Sequence, residues 1–337
     1  MGISLKPLSQ QVMVITGASS GIGLATALAA AQGGARLVLA ARSKEGLEDA
    51  QRQVEAAGGE AIHVVADVSQ LADVQRIAQA AIDRFGGFDT WFNNAGVSII
   101  GPMREVSDED SRAMFDTNFW GLVYGSLEAV KHLKQRGGAL INMGSLGSDM
   151  AIPLQGMYSA SKHAVKGFTD ALRMELEAEQ VPVSITLIKP TSINTPFPHH
   201  ARNYLDCEPK LPSPVYDPKE VAAAVLHAAT HGDRDVFVGG ASKLFSSLNK
   251  YFPRLVDWLS ERMLMPQHTT DEPARNPLGS LYQAGVNGDA RGDHPGHVMK
   301  NSLYTRASLH PVLTGLLVGV AGMAAVAGAS LMRKHER

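Results

Sequence analysis

Tyr158 and Lys162 stand four residues apart at the end of the stretch Ser145-Leu-Gly-Ser-Asp-Met-Ala-Ile-Pro-Leu-Gln-Gly-Met-Tyr-Ser-Ala-Ser-Lys162. On a helix of about 3.6 residues per turn, that spacing stacks both side chains on one face. An unperturbed phenol has a pKa of about 10 and neither gives nor takes a proton readily at neutrality. A fixed ammonium beside it favours the phenolate and draws the group toward the working range. Ser145 follows the apolar run Ala139-Leu-Ile-Asn-Met-Gly144, predicted to be a buried strand, and its hydroxyl would hydrogen-bond a substrate oxygen next to the phenol. Alone, Tyr-x-x-x-Lys is a weak signal, because an incidental pair on an exposed helix has the same spacing.

Its weight depends on the elements that would position it. Val12-Met-Val-Ile-Thr16 reads as a buried parallel strand, and Gly17-Ala-Ser-Ser-Gly21-Ile-Gly23 opens from it into an alanine-rich helix. Strand, glycine turn and helix N-terminus make an anion site, where the backbone approaches a pyrophosphate and free N–H groups meet it; a tight turn without a ligand is the alternative. The second strand, Arg36 to Ala41, ends in Arg42-Ser43 with no acid at Ala40 or Ala41. In dinucleotide folds an acid there holds the ribose 2′-hydroxyl and an arginine accommodates a 2′-phosphate, so Arg42 favours NADP(H) over NAD(H). An ordinary solvated arginine is the alternative.

Lys44 to Ala57 reads as a polar-faced helix, and Ala61 to Ala66 as a third strand closed by Asp67-Val68. Leu71 to Phe85 is amphipathic, with Leu71, Val74, Ile77, Ala78, Ala81 and Ile82 facing inward. A fourth strand, Asp89 to Asn93, runs into Asn94-Ala95-Gly96, whose small residues let a cofactor ring lie against the backbone. Ser107 is predicted to cap a long helix reaching about Gln135, with Asn118 in its middle, where asparagine is not preferred. A tolerated polar residue and an amide that fixes a water near Lys162 are the two readings of Asn118. Val183 to Ile188 and Asp235 to Gly239 supply later strands. The alternation specifies an α/β fold, a Rossmann-type doubly wound parallel sheet in three layers (α/β/α), over residues 8–240, with a C-terminal helical extension.

Composition narrows the class. A chain of 337 residues, 45% hydrophobic, is long enough for one large domain, and a net charge of −2 gives no basic surface for nucleic acid. The single cysteine, Cys207, precludes an intrachain disulfide and a cysteine-based metal site, and His199-His200 lacks helical metal-ligand spacing, so no metal is expected. Met1 to Pro7 has no apolar core for a secretory signal, and Lys6 stands where a myristoylation motif needs Ser or Thr.

Thr16-Gly-x-x-x-Gly21-x-Gly23, Asp67, Asn93-Asn-Ala-Gly96, Asn118, Ser145, Tyr158-x-x-x-Lys162 and Pro190-x-x-Ile-x-Thr195 together resemble the short-chain dehydrogenase/reductase family over about residues 10–240. That resemblance implies carbonyl reduction or alcohol oxidation, with Tyr158 as acid or base and Lys162 holding the nicotinamide ribose and depressing the tyrosine pKa. Ser145 would orient the substrate oxygen, and Asn118 would position a water relaying protons from Lys162. Gly17, Ser19, Ser20, Gly21, Ile22 and Gly23 would line the pyrophosphate, Asp67 and Val68 the adenine, and Asn94, with Ala95 and Gly96, the adenine ribose side. Pro190, Thr191, Ile193 and Thr195 would flank the nicotinamide, and a homodimer or homotetramer would be usual. Thr191 departs from the family's Pro-Gly, and threonine does not easily adopt what glycine permits.

Between Thr195 and Lys219 a lid is expected. Phe197 from it, with Ser145, Met150, Leu154 and Tyr158, suggests an apolar pocket for an uncharged carbonyl or alcohol. Residues 241–265 carry apolar side chains at helical spacing, expected to cover the substrate cleft or an oligomer contact, and 266–310 read as a flexible linker rich in Gly, Pro, Asn and Asp. Residues 311–332 are predicted as a transmembrane helix, since Val312 to Met332 carries no charge. A tail anchor with the catalytic domain in the cytosol follows; a helix that does not span is the alternative. A dinucleotide sensor or scaffold without turnover is the competing class, and loss of Tyr158 or Lys162 would have favoured it.

Overall fold

The computed structural model describes residues 3–285, 288–311 and 314–315. The predicted strands form one parallel sheet: β1 (Val12–Thr16), β2 (Arg36–Ala41), β3 (Glu60–Val65), β4 (Thr90–Asn93), β5 (Gly138–Met143), β6 (Val183–Pro190) and β7 (Asp235–Val238), in the order β7-β6-β5-β4-β1-β2-β3. The order reverses between β1 and β4, and ligands of such sheets bind outside the carboxyl ends at that reversal.

Strand periodicity explains the layering. Met13 and Ile15 point into the core beneath α1 (Gly21–Gln32) and α8 (Pro218–His231), while Val12 and Val14 point into the core beneath α3 (Leu71–Phe85), α5 (Gly121–Arg136) and α6 (Gly156–Ala178). Within α3, Val74, Ile77, Ala78 and Ala81 are buried, but Leu71 and Ile82, expected to face inward, are exposed. They flank the buried stripe, which is narrower than the run of apolar residues.

The long helix after Ser107 is present, and the Ser107 hydroxyl accepts the Asp110 N–H at 3.1 Å. It is not uniform: α4 (Asp108–Phe115) passes through a π-helical turn, Asp116–Trp120, before α5. Asn118, the residue that sits poorly in a regular helix, lies on that turn, and such turns frequently mark functional sites.

Beyond β7 come α9 (Gly240–Tyr251) and α10 (Pro253–Leu259). The stretch expected as a loose linker lies against the domain: Thr269–Pro273 pairs antiparallel with Cys207–Pro209, Leu281 is buried, and α11 (Leu303–Leu309) packs beside β7 and α8. Turn-forming composition signalled irregular backbone, which can be well packed. The predicted transmembrane helix lies outside the described residues except for Pro311, Thr314 and Gly315; among the described residues no helix is long and apolar enough to cross a membrane.

Candidate active site

The phosphate turn forms where β1 hands over to α1. A Cβ at Gly17 would stand 2.8 Å from the Ala95 Cα, and one at Gly23 only 2.1 Å from the Gly17 carbonyl oxygen. Turn, helix and β4 loop therefore close on one another only without side chains. The Thr16 hydroxyl accepts the N–H groups of Asn94 and Ala95, and the Asn94 amide donates to the Thr16 and Gly17 carbonyls. Asn94, expected at the adenine ribose, thus spends its amide on holding the turn.

From that turn a cavity of ≈ 300 Å³ runs along the sheet's carboxyl edge past Arg42 and Asp67 to Tyr158 and Lys162. Every expected cofactor residue lines it except Gly23, whose part is to let α1 pack on the turn. The residues present fit a dinucleotide: a cradle without side chains at one end, an arginine at the end of β2, and a lysine and phenol at the other end.

Tyr158 and Lys162 lie on the first turns of α6, with the Lys162 Nζ 5.8 Å from the phenol ring centroid. Lys162 donates to the Met143 carbonyl at 2.9 Å, and burial lowers its pKa to about 8. Burial pushes the Tyr158 phenol up to about 12, while a hydrogen bond with Ser145 pulls it back. The expected depression of the phenol is therefore absent in the protein alone: desolvation outweighs the hydrogen bond with Ser145. Ser145 starts the loop after β5; its oxygen accepts the Gly147 N–H at 3.0 Å, leaving its own O–H to donate. Asn118 accepts from the Val97 N–H and donates to the Val97 carbonyl and the Ser161 hydroxyl. Both amide hydrogens are engaged, so the Asn118 side chain has no N–H left for the expected water.

The substrate end differs from the expected lining. Ser145, Tyr158 and Phe197 line the cavity, and the Phe197 ring meets Tyr158 edge-on at 5.9 Å. Met150 does not; it is buried with Leu146 and Val256, because the extension packs over that part of the loop. Leu154 does not either; it turns at φ 63° and its carbonyl accepts the Gly101 N–H. The rest of the wall comes from Leu211 of the lid and from Phe245, Leu264 and His268 of the extension. Of the two places expected for 241–265, the substrate cleft and an oligomer contact, Phe245 and Leu264 occupy the first.

A family model described as short chain dehydrogenase matches residues 11–205. An oxidoreductase of Bacillus subtilis, YxnA, itself uncharacterized, is 46% identical over 336 residues, covering 98% of this chain and 94% of that protein. The chain is a short-chain dehydrogenase. An 11-beta-hydroxysteroid dehydrogenase A of Sesamum indicum is 30% identical over 80% of this chain and 79% of its own length. Among solved structures, this short-chain dehydrogenase resembles a Burkholderia phymatum member in complex with NAD (27% identity, TM-score 0.65, covering 80% of this chain and 100% of that one). It also resembles a Thermococcus sibiricus alcohol dehydrogenase complexed with 5-hydroxy-NADP (27% identity, TM-score 0.60, covering 67% and 95%).

Two positions of this short-chain dehydrogenase bear on its cofactor groove. Thr191 needs no left-handed backbone, and the room for its methyl comes from across the sheet edge, where a Cβ at Gly239 would lie 2.7 Å from Thr191 Cγ2. Arg42 is not free: Nη1 donates to the Leu281 carbonyl at 3.0 Å, and Nη2 to those of Gln283, at 3.1 Å, and Ser280.

Proposed function

We propose that the enzyme interconverts a carbonyl and a secondary alcohol on an uncharged, hydrophobic substrate, with NADP(H) as the redox partner. The observation that carries this reading is that Ser145, Tyr158 and Lys162 share one cavity with the phosphate turn, under an apolar wall of Phe197, Leu211, Phe245 and Leu264. The relative named for 11-beta-hydroxysteroids fits the apolar substrate class.

The nicotinamide supplies or takes the hydride. The rest falls to this chain. Ser145 O–H donates to the substrate oxygen and fixes it beside the phenol. In reduction Tyr158 delivers its proton to that oxygen as the C–H bond forms, and the proton is replaced from solvent on the Lys162 side. Burial keeps the phenol protonated in the protein alone, and charged Lys162 favours the phenolate that the transfer leaves behind. Oxidation runs the same path backward and needs charged Lys162 to offset the phenolate. Phe197 and the extension exclude water from the reacting carbon.

Arg42 at the end of β2, with no acid beside it, supports NADP(H). A second reading, NAD(H), is favoured by the three carbonyl partners that already engage that guanidinium. Titrating NADPH and NADH by nicotinamide fluorescence, then running a ketone panel on wild type and Tyr158→Phe, separates them. NADPH preference with turnover lost in the variant supports the proposal. Faster turnover of charged or sugar carbonyls refutes the substrate class, and tight binding without turnover of any carbonyl or alcohol refutes the enzymatic reading.

A further inference from the structure

Two donors that a dinucleotide phosphate would use are engaged by the chain's own backbone. The Gly21 N–H, first in α1 and pointing toward the anion position of the turn, donates to the Asp289 carbonyl at 2.9 Å. Arg42 donates to the carbonyls of Ser280, Leu281 and Gln283, which leaves two of its five N–H groups. Carbonyl oxygens, partly negative, stand where an anion is expected. A single N–H cannot serve a carbonyl and a phosphate oxygen at full strength together.

Residues 280–285 and 288–294 make all these contacts and are pinned from outside the groove. Arg291 Nε pairs with Asp217 Oδ2 at 2.7 Å, and Asp293 Oδ1 with His199 Nε2 at 2.7 Å. Gly292 N–H donates to the Asn194 carbonyl, and His294 N–H to the Asn194 side chain. Upstream, Ser280 N–H donates to the His200 carbonyl and the Tyr282 hydroxyl to Asp110.

We propose that these two stretches compete with the dinucleotide for its phosphate-binding donors, so that the Arg291–Asp217 and Asp293–His199 pairs set cofactor affinity. The proposal rests on the reading of the groove as the dinucleotide site. Apparent affinity falls by the fraction of molecules in which the donors are free, and loosening the latches raises that fraction. Arg291 and Asp293 are positioning residues; neither needs to touch the cofactor.

The test uses the full chain with Arg291→Ala/Asp293→Ala, titrated with NADPH and NADH by fluorescence and followed by stopped flow. Kd should fall about five- to tenfold, through a faster association rate constant, and Arg291→Lys should keep the wild-type value. In parallel, saturating NADPH should speed amide hydrogen exchange at residues 288–294 of the wild type, a readout that no variant's folding can spoil. An unchanged Kd overturns the proposal. A raised Kd in the variant, or slower exchange on NADPH addition, overturns it differently, by making the segment a wall of the bound site. If neither dinucleotide binds wild type or variant, the dinucleotide reading itself falls.

Discussion

Replacing Asp149 should separate the catalytic loop from the extension. Its carboxylate, 7% exposed, accepts from Lys166 at 2.7 Å and Lys189 at 3.0 Å, and Ser246 of α9 donates to it at 2.6 Å. Lys189 is 5% exposed and keeps Asp235, at 3.2 Å, and the face of the Phe237 ring, at 4.1 Å, when Asp149 is removed, whereas Lys166 is exposed enough to turn to solvent. An uncompensated buried charge costs about 3–5 kcal/mol; with Asp235 still in place the expectation for Asp149→Ala is about 2–4 kcal/mol. Asp149→Asn keeps an acceptor and should cost less, about 1.5–3 kcal/mol. Urea unfolding followed by tryptophan fluorescence measures both, since Trp258 sits on α10. Because Phe245, beside Ser246, walls the cavity, KM for an apolar ketone should rise more than kcat falls. Burial alone would raise the Asp149 pKa, but Lys166, Ser246 and Lys189 outweigh it and hold the carboxyl below its ordinary 3.8. A depressed acid contributes its stability above the unfolded pKa and loses it as pH falls through the folded one. The difference between wild type and Asp149→Asn should therefore be flat from about pH 5 to 8 and shrink only in acid. A cost under about 1 kcal/mol for Asp149→Ala would mean that Lys189 does not depend on Asp149 for its charge partner.

Gly239→Ala, at φ 91° with its Cβ 2.7 Å from Thr191 Cγ2, should destabilise by about 2–4 kcal/mol, and Thr191→Gly should recover part of that loss in a double-mutant cycle; additivity would refute the contact. Tyr158→Phe should lower kcat by at least about 100-fold while leaving NADPH Kd within a factor of two, measured by single turnover and fluorescence titration. Burial opposes protonation of His199, yet hydrogen bonds and charge from Asp293 and Glu208 outweigh it and raise its pKa, with His200 as the adjoining ring. Its stabilisation is full below about pH 6.5 and is lost as pH rises through the folded pKa, so thermal stability of wild type should drop above neutrality relative to His199→Gln.

What the sequence disclosed, and what it withheld, divides by the range of the forces involved. Val12–Thr16, the glycine turn and Tyr158-x-x-x-Lys162 are local patterns, and local backbone preference with period-2 burial is enough to place them. Asn118 was visible as an oddity in a helix, yet the π-helical turn that accommodates it depends on Val97 and Ser161, neither near it in the chain. Apolarity and nearness to Tyr158 point Met150 and Leu154 toward the pocket, and tertiary packing turns both away. Phe245, Leu264 and His268 reach the cavity from about 80 or more residues downstream. No spacing rule connects them to Ser145.

The same division bears on cofactor choice. An arginine at the end of the second strand accommodates a 2′-phosphate where the groove beside it is open. Here the carbonyls of Ser280, Leu281 and Gln283 converge on the guanidinium across some 240 residues of chain. A 2′-phosphate must therefore gain more from Arg42 than three charge-assisted hydrogen bonds that need no ligand at all, roughly 1.5–3 kcal/mol each in net worth. A 2′-hydroxyl faces no such contest, since it can donate to those same carbonyls. If the segment stays in place when the dinucleotide binds, selectivity should move toward NADH; if it leaves, Arg42 is released and NADPH should win. Measuring both dinucleotides on the wild type and on Arg291→Ala/Asp293→Ala thus reads the segment's position from a ratio of affinities. A ratio identical in both proteins would mean that Arg42 and the segment do not communicate.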